Sequence, residues 1–232
     1  MSRPRRDPRA LTMPPGRRIP RAADVRKPAP DPPATAPPPA AVRRELEVAG
    51  GELSRLVGTI RACEACGRCS DERAFGSGHP LADVLLLKDV PSREDVASGA
   101  AFAKEAEPLG KAFERLGLPL VSVYGTCAVR CAGDGVTSDE IRACAPHLLV
   151  ELEVLSPRVV VAFGPGAFEA VQALDGRCGI SVPDEVPRGG SASIRRGLDL
   201  LVTEPLPQGV TLADAKRRLW ADLQTLPSLL GP

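Results

Sequence analysis

The feature that most constrains the fold of this chain is a regular alternation of short apolar runs with helical patterns. Four runs have the length and apolar content of buried strands. They lie at residues 82–87, 120–124, 158–163 and 198–202. The helical patterns lie at residues 41–62, 106–116, 138–155, 167–174 and 211–226. Strands that alternate with helices predict an α/β protein with a parallel sheet that is covered on both faces.

The N-terminal segment has a different composition from the rest. Residues 1–40 hold 12 of the 25 prolines, together with nine basic and three acidic residues. Such a segment buries too little apolar surface to fold, so we expect a disordered tail over 1–40 and a folded domain over 41–232. The composition favours a solubilising tail. The alternative is a basic arm that contacts nucleic acid without sequence preference.

Charge and hydropathy limit the cellular location of the chain and the partners that it can bind. Residues 41–232 carry 21 basic and 26 acidic side chains, so DNA binding would need a local basic patch or the tail. The sequence shows neither a signal segment nor an apolar run near the roughly 18 residues of a membrane span. We therefore expect a cytoplasmic protein that does not engage a membrane and whose thiols stay reduced. We also expect a monomer.

Seven cysteines in a chain of this length point to a metal centre. Cys63 and Cys66 form a C-x-x-C turn, and Cys69 could replace Cys66 in a second, overlapping pair. Cys131 and Cys144 have twelve residues between them, the second on a predicted helix. Four thiolates suit either a [4Fe–4S] cluster or a tetrahedral zinc, and the spacing alone does not separate the two. The alternative is that these cysteines are small buried apolar residues.

An ordered set of phrases follows the first cysteine pair. The segments are A-F-G-S-G-H-P-L-A-D at 74–83, K-D-V-P-S-R-E-D at 88–95, G-A-A-F-A at 99–103, V-Y-G-T-C-A-V-R-C at 123–131, S-P-R-V-V-V-A-F-G at 156–164 and K-R-R-L-W-A-D-L at 216–223. This order resembles the family 4 uracil-DNA glycosylases. Those enzymes show a paired cysteine and V-F-G-E-G-N-P-x-A-D, then G-E-x-P-G before acids, G-x-P-F-V-G, V-Y-I-T-N-x-V-K-C, P-x-x-I-x-x-L-G and K-R-x-x-W-x-D-L.

The resemblance covers about residues 45–225 and implies a fold and a cofactor. The fold would be a three-layer α/β/α sandwich with a central four-stranded parallel sheet. The cofactor would be a [4Fe–4S] cluster rather than zinc, held by four cysteines with Cys69 left out. The ligands would be Cys63, Cys66, Cys131 and Cys144. The partner would be DNA, single- or double-stranded.

The resemblance also assigns roles at the pocket. Phe102 stands where the family stacks an aromatic ring on uracil, although a core phenylalanine is an equally good interpretation. Asp89 stands at the carboxylate that assists the attacking water, one methylene shorter than the family glutamate. A glycosylase needs such groups because it extrudes the base from the duplex and grips it before breaking the glycosidic bond.

Several positions depart from the family pattern. The asparagine that reads the uracil edge is Cys127, and a thiol cannot make that paired donor and acceptor contact. The late histidine that stabilises the leaving base corresponds to Glu204, whose charge would repel the anion. The two glycines of the G-E-x-P-G turn are Lys88 and Ser92. We expect Lys88, Asp89, Phe102 and Glu204 to line an altered pocket.

The sequence therefore predicts a uracil-DNA glycosylase-like protein of base-excision repair, with uracil excision that is weak or altered. Losing one pre-organised donor typically costs about 10²–10³ in rate. The alternative is a catalytically inactive iron–sulfur protein that binds DNA or a protein partner. A third hypothesis is a zinc-stabilised α/β binding module.

Overall fold

A computed structural model describes residues 39–68, 71–119, 122–206 and 212–231. The predicted tail lies outside these residues except for its last two, so its disorder stays a prediction. Cys69 also lies outside them. The helices are α1 (Ala40–Arg61), α2 (Arg93–Ser98), α3 (Ala106–Arg115), α4 (Ser138–Leu155), α5 (Pro165–Gln172), α6 (Leu212–Leu223) and α7 (Leu226–Leu230). The strands are β1 (Ser77–Gly78), β2 (Val84–Lys88), β3 (Val123–Cys127), β4 (Val159–Phe163), β5 (Ser191–Arg195) and β6 (Leu198–Thr203).

The strands form one sheet in the order β1-β3-β2-β4-β6-β5. The four inner strands β3, β2, β4 and β6 are parallel. The outer strands β1 and β5 pair antiparallel with β3 and β6. The α/β fold and its four-stranded parallel centre are therefore confirmed, and the described sheet carries two edge strands that the apolar runs did not reveal.

Alternate side chains of the inner strands face two separate apolar clusters. Leu85 and Leu87 of β2 join the cluster that holds the apolar faces of α4 and α5. Val84 and Leu86 point to the other cluster, which holds those of α3, α6 and α7. Because side chains alternate along a strand, the two clusters lie on opposite faces of the sheet. This is the expected three-layer arrangement.

The local signals explain where the elements begin and end. Thr137 caps α4 by accepting a hydrogen bond from the Glu140 backbone N–H, and the Glu140 side chain accepts one from Thr137 in return. Gly50 and Gly51 do not interrupt α1. The strand predicted at 120–124 is observed at 123–127. The helix predicted at 211–226 is observed as α6, and the short helix α7, with a proline in its first turn, follows where that pattern ends. None of the helices in the described ranges combines the length and apolarity that a membrane span requires.

Candidate functional site

A polar cavity of about 720 Å³ opens at the carboxyl ends of the parallel strands. Lys88 ends β2 and Phe163 ends β4, and the two residues are register partners. The chain passes from β2 to β3 on one side and returns to β4 on the other, so the cavity lies at the point where the strand order reverses. Open α/β sheets bind ligands at this point. Loops after β3 and β6 complete the wall with residues 132–135 and with Pro205 and Leu206.

Asp89 lies on the cavity wall directly after β2. Its Oδ1 accepts a hydrogen bond of 2.6 Å from the Ala167 backbone N–H in the first turn of α5. A Cβ on Gly166 would lie 2.8 Å from that oxygen, so this contact needs glycine. Burial raises the pKa of Asp89, and the Ala167 hydrogen bond opposes the shift. The carboxyl is thus positioned at the cavity, and its role with water stays a prediction.

Lys88 also lies on the wall, but its side chain is buried and paired with two carboxylates. The Nζ atom lies 2.5 Å from Asp95 Oδ2 and 2.7 Å from Glu105 Oε2. It also lies over the ring of Phe102, 4.7 Å from the centroid. Burial disfavours the ammonium, but the hydrogen bonds to Asp95 and Glu105 outweigh that cost and raise the pKa of Lys88. The amine is therefore a charged structural group and not a free base.

Phe102 lies beneath Lys88 rather than on the polar wall. It lines a second, more apolar cavity beside α3. Its φ of 64° is unusual for a non-glycine residue and marks a constrained turn. A Cβ on Gly125 of β3 would come within 2.7 Å of the ring, and the ring of Phe163 lies 5.7 Å away, so the phenylalanine is locked against the sheet.

Cys127 and Glu204 do not line the polar cavity, although both were expected to bind the substrate. The described residues that line it include Lys88 and Asp89 but not Phe102, Cys127 or Glu204. Cys127 is fully buried at the end of β3, and burial raises the pKa of its thiol to about 12. It is therefore a neutral core residue.

The Glu204 carboxylate is turned toward two arginines. Its Oε1 accepts hydrogen bonds of 2.8 Å from both Arg188 Nη1 and Arg218 Nε. These contacts lower the pKa of Glu204, so the side chain is ionised and locally neutralised. The residues that follow it, Pro205 and Leu206, lie on the cavity wall, but Glu204 itself does not. Of the four residues expected to line one pocket, Lys88 and Asp89 therefore lie on its wall, whereas core packing holds Phe102 and two arginines hold Glu204 away from it.

The four predicted cysteine ligands line one small cavity between α1, α4 and the segment after β3. They are Cys63, Cys66, Cys131 and Cys144. Arg130 and His147 complete part of its wall. Within the described ranges, no three His, Cys, Asp or Glu side chains form a group that would hold a single metal ion.

Two arginines hold the distant cysteine pairs together. Arg73 donates hydrogen bonds to the Ile60 and Cys63 carbonyl oxygens, at 2.6 and 3.0 Å. The same residue pairs with Cys131 in an antiparallel β-bridge. Arg68, just after Cys66, makes a two-point ion pair with Glu140 in the first turn of α4. The C-x-x-C turn is thus fixed to both elements that carry the second pair.

Arg130 provides a test of whether this cavity suits an anionic cluster. Its guanidinium is buried and pairs with Glu151 at 2.6 Å. Among the described residues, its Nε finds no hydrogen-bond partner. A buried N–H without a partner is costly, and a cluster with its thiolates offers sulfur acceptors and negative charge. The four thiols, the orphaned N–H and the buried cation together fit such a group.

The motifs assign no role to the buried and half-buried charges around both sites, which are Arg130, Glu151, Asp95 and Glu105. Two local signals were available. An acid lies inside the otherwise apolar stretch H-L-L-V-E-L of α4, and Ser92 with Asp95 has the S-x-x-D spacing of a capping box, which α2 adopts.

The sequence profile of the uracil DNA glycosylase superfamily matches residues 75–224, which include the second cysteine pair and nearly all the described residues that line the polar cavity. The chain belongs to that superfamily. It is 26% identical over 132 residues to the type-4 uracil-DNA glycosylase of Pyrobaculum aerophilum, covering 54% of this chain and 67% of that protein. It is 29% identical over 119 residues to the type-4 enzyme of Sulfurisphaera tokodaii, covering 48% and 54%.

The type-4 uracil-DNA glycosylase of Archaeoglobus fulgidus is 25% identical over 118 residues, covering 48% of this chain and 59% of that protein. The chain thus spans about two thirds of the first relative and little more than half of the other two. The resemblance to family 4 stated from the motifs is confirmed at the level of the superfamily and of these relatives.

Proposed function

We propose that this chain is a DNA-binding [4Fe–4S] protein of base-excision repair in which uracil excision is weak or altered. The observation that supports weak uracil excision is that Glu204 is ionised and paired with two arginines. Where the resemblance calls for a donor to the leaving base, the chain has an ionised carboxylate that already accepts from Arg188 and Arg218. A carboxylate cannot donate a hydrogen bond, so the developing negative charge gains no support there.

The test of this proposal is an excision assay with uracil, hypoxanthine and xanthine in single and double strands. We expect uracil excision to be at least about 10²–10³ slower than in a type-4 enzyme, because a charge-stabilising donor is missing. Uracil excision at a type-4 rate would show that Glu204 is not the counterpart of the late histidine. Excision of hypoxanthine or xanthine would instead identify an altered substrate.

The cluster is proposed on the four-cysteine cavity and on the orphaned Nε of Arg130. When bound, it would contribute structural clamping between α1, α4 and the β3 loop. We also propose a cytoplasmic location, since the thiols must stay reduced, and a monomeric state. Zinc is the competing occupant because it accepts the same four thiolates.

Anaerobic purification with iron, sulfide and zinc analysis tests the cluster. We expect visible absorbance and iron in the wild type, and loss of both in Cys131→Ser and Cys66→Ser. The matched control is Cys178→Ser, because that thiol is exposed and hydrogen-bonded to Glu153. Cys69→Ser separates the two overlapping pairs and should retain iron. Zinc in place of iron, or iron loss in the Cys178 variant alone, would contradict the assignment.

The second candidate function is a catalytically inactive protein that binds DNA or a protein partner. Lys88 favours it, because a buried ion pair occupies the region beside the predicted stacking ring. No measurable excision of any of the three bases, with DNA binding retained, would support this alternative.

A further inference from the structure

Lys88 stands at the C-terminal end of β2, where the resemblance places a glycine. A glycine leaves the space beside Phe102 open, whereas Lys88 fills it with a four-carbon stem and an ammonium. Only 7% of the lysine side chain is exposed. The substitution therefore changes the contents of the pocket as well as its backbone.

The ammonium occupies the volume in which a base would stack. Stacked or tilted aromatic rings have their centroids about 4.5–7 Å apart. Lys88 Nζ lies over the ring face of Phe102 at 4.7 Å from its centroid, inside that shell. The cation–π contact is itself favourable, so a base would have to displace a bound cation from the ring.

Two acids hold the ammonium in this place. Asp95 is completely buried, and its carboxylate also accepts hydrogen bonds of 2.7 Å from the Ser92 and Ala103 backbone N–H groups. Glu105 supplies the second carboxylate at 2.7 Å. Removing the lysine from this pair of acids would leave buried negative charge without a partner, which is strongly unfavourable. The lysine is thus fixed and cannot swing aside at little cost.

We propose that Lys88 determines the specificity of the pocket by acting as a built-in occupant of the Phe102 ring face, which excludes a flipped pyrimidine. The proposal deepens the proposed function, since it rests on Phe102 being the ring on which a base would stack. It gives a structural cause for weak uracil excision that is separate from Glu204.

The test measures uracil at the ring itself, independently of DNA and of activity. The full chain is labelled with para-fluorophenylalanine, which gives five fluorine signals, and Phe102→Leu assigns the one of interest. Free uracil is then titrated into the wild type, Lys88→Gly and Lys88→Met. Methionine keeps the bulk of the lysine while removing its charge, so it is the matched control for the lost ion pairs.

We expect uracil to shift the Phe102 signal in Lys88→Gly but not in the wild type or Lys88→Met. The apparent affinity should be at least about tenfold higher in the glycine variant than in the methionine variant, as expected for stacking of one base. A shift in the wild type, equal behaviour of the two variants, or no shift in Lys88→Gly would each overturn the proposal.

The two acids make misfolding of Lys88→Gly a foreseeable complication. The double variant Lys88→Gly with Glu105→Gln removes one stranded carboxylate and is titrated in the same way, with the same result expected. Affinity for an oligonucleotide without uracil is measured in parallel. If the wild type shows no measurable affinity for this oligonucleotide, the proposed DNA-binding function is wrong. The fluorine titration alone decides the role of Lys88.

Discussion

At the scale of single residues, the chain buries one cation beside each of its two candidate sites. Lys88 pairs with Asp95 and Glu105 at the polar cavity, and Arg130 pairs with Glu151 at the cysteine cavity. Charged side chains are seldom fully buried unless they are paired, so each partner is needed by the other. Thr126 also donates to Glu151 at 3.0 Å, which ties this pair to β3.

The pairing of Arg130 with Glu151 leads to a stability prediction. Arg130→Met should lower the free energy of unfolding by about 3–5 kcal/mol, because Glu151 is left buried and unpaired. Urea unfolding followed by circular dichroism measures the change. The double variant Arg130→Met with Glu151→Leu is the control, and it should recover much of the loss because no lone charge remains. A single variant within about 1 kcal/mol of the wild type would show that Glu151 takes up a proton without cost.

At the scale of secondary-structure elements, the sequence predicts what is buried far better than what is half-exposed. The inner strands β2, β4 and β6 are continuous apolar runs because helices cover both faces, and all three are observed within two residues of the expected bounds. The edge strand β5 is not evident in the sequence because S-A-S-I-R has one buried side chain, and its other four residues are exposed or half-buried. Helix α2 was missed because it is only six residues long.

The same limit explains the outcome at the pocket. Sequence order placed Lys88 and Asp89 at the end of β2, and the parallel sheet brings that end to the cavity. Sequence could not show that Lys88 turns onto Phe102, because Asp95 and Glu105 reach it from α2 and from the turn before α3. It also could not show that Arg188 and Arg218 capture Glu204, since these arginines lie 16 and 14 residues away in the chain.

The capped start of α4 gives a prediction at this scale. Thr137→Ala should lower the free energy of unfolding by about 1 kcal/mol, because the N-terminal cap of the helix that carries Cys144 is lost. Thr59→Ala is the matched control, since that exposed hydroxyl donates a hydrogen bond to the Arg55 carbonyl oxygen within α1 and does not cap the helix. The control should stay within about 0.5 kcal/mol. Equal losses in the two variants, measured by urea unfolding, would argue against a role for the cap.

At the scale of the whole molecule, the distribution of charge raises the question of how DNA would be held. Residues 41–232 carry 21 basic and 26 acidic side chains, so the folded part does not attract DNA by its net charge. Two exposed arginines, Arg188 and Arg218, share the single carboxylate of Glu204, which precedes the cavity residue Pro205 in the chain. The nine basic residues of 1–40 are therefore the strongest remaining source of attraction.

Removal of residues 1–38 should weaken binding to single-stranded DNA and flatten its dependence on salt. Each phosphate contact that is lost reduces the slope of log K against log salt by about 0.7 for a single strand, because fewer counterions are released. Fluorescence anisotropy over a series of salt concentrations measures the slope. A full-length variant with the nine basic residues of the tail changed to glutamine should show the same loss, which separates charge from length. Unchanged slopes in both proteins would mean that the tail only solubilises the chain and that the folded domain holds DNA through a local basic patch.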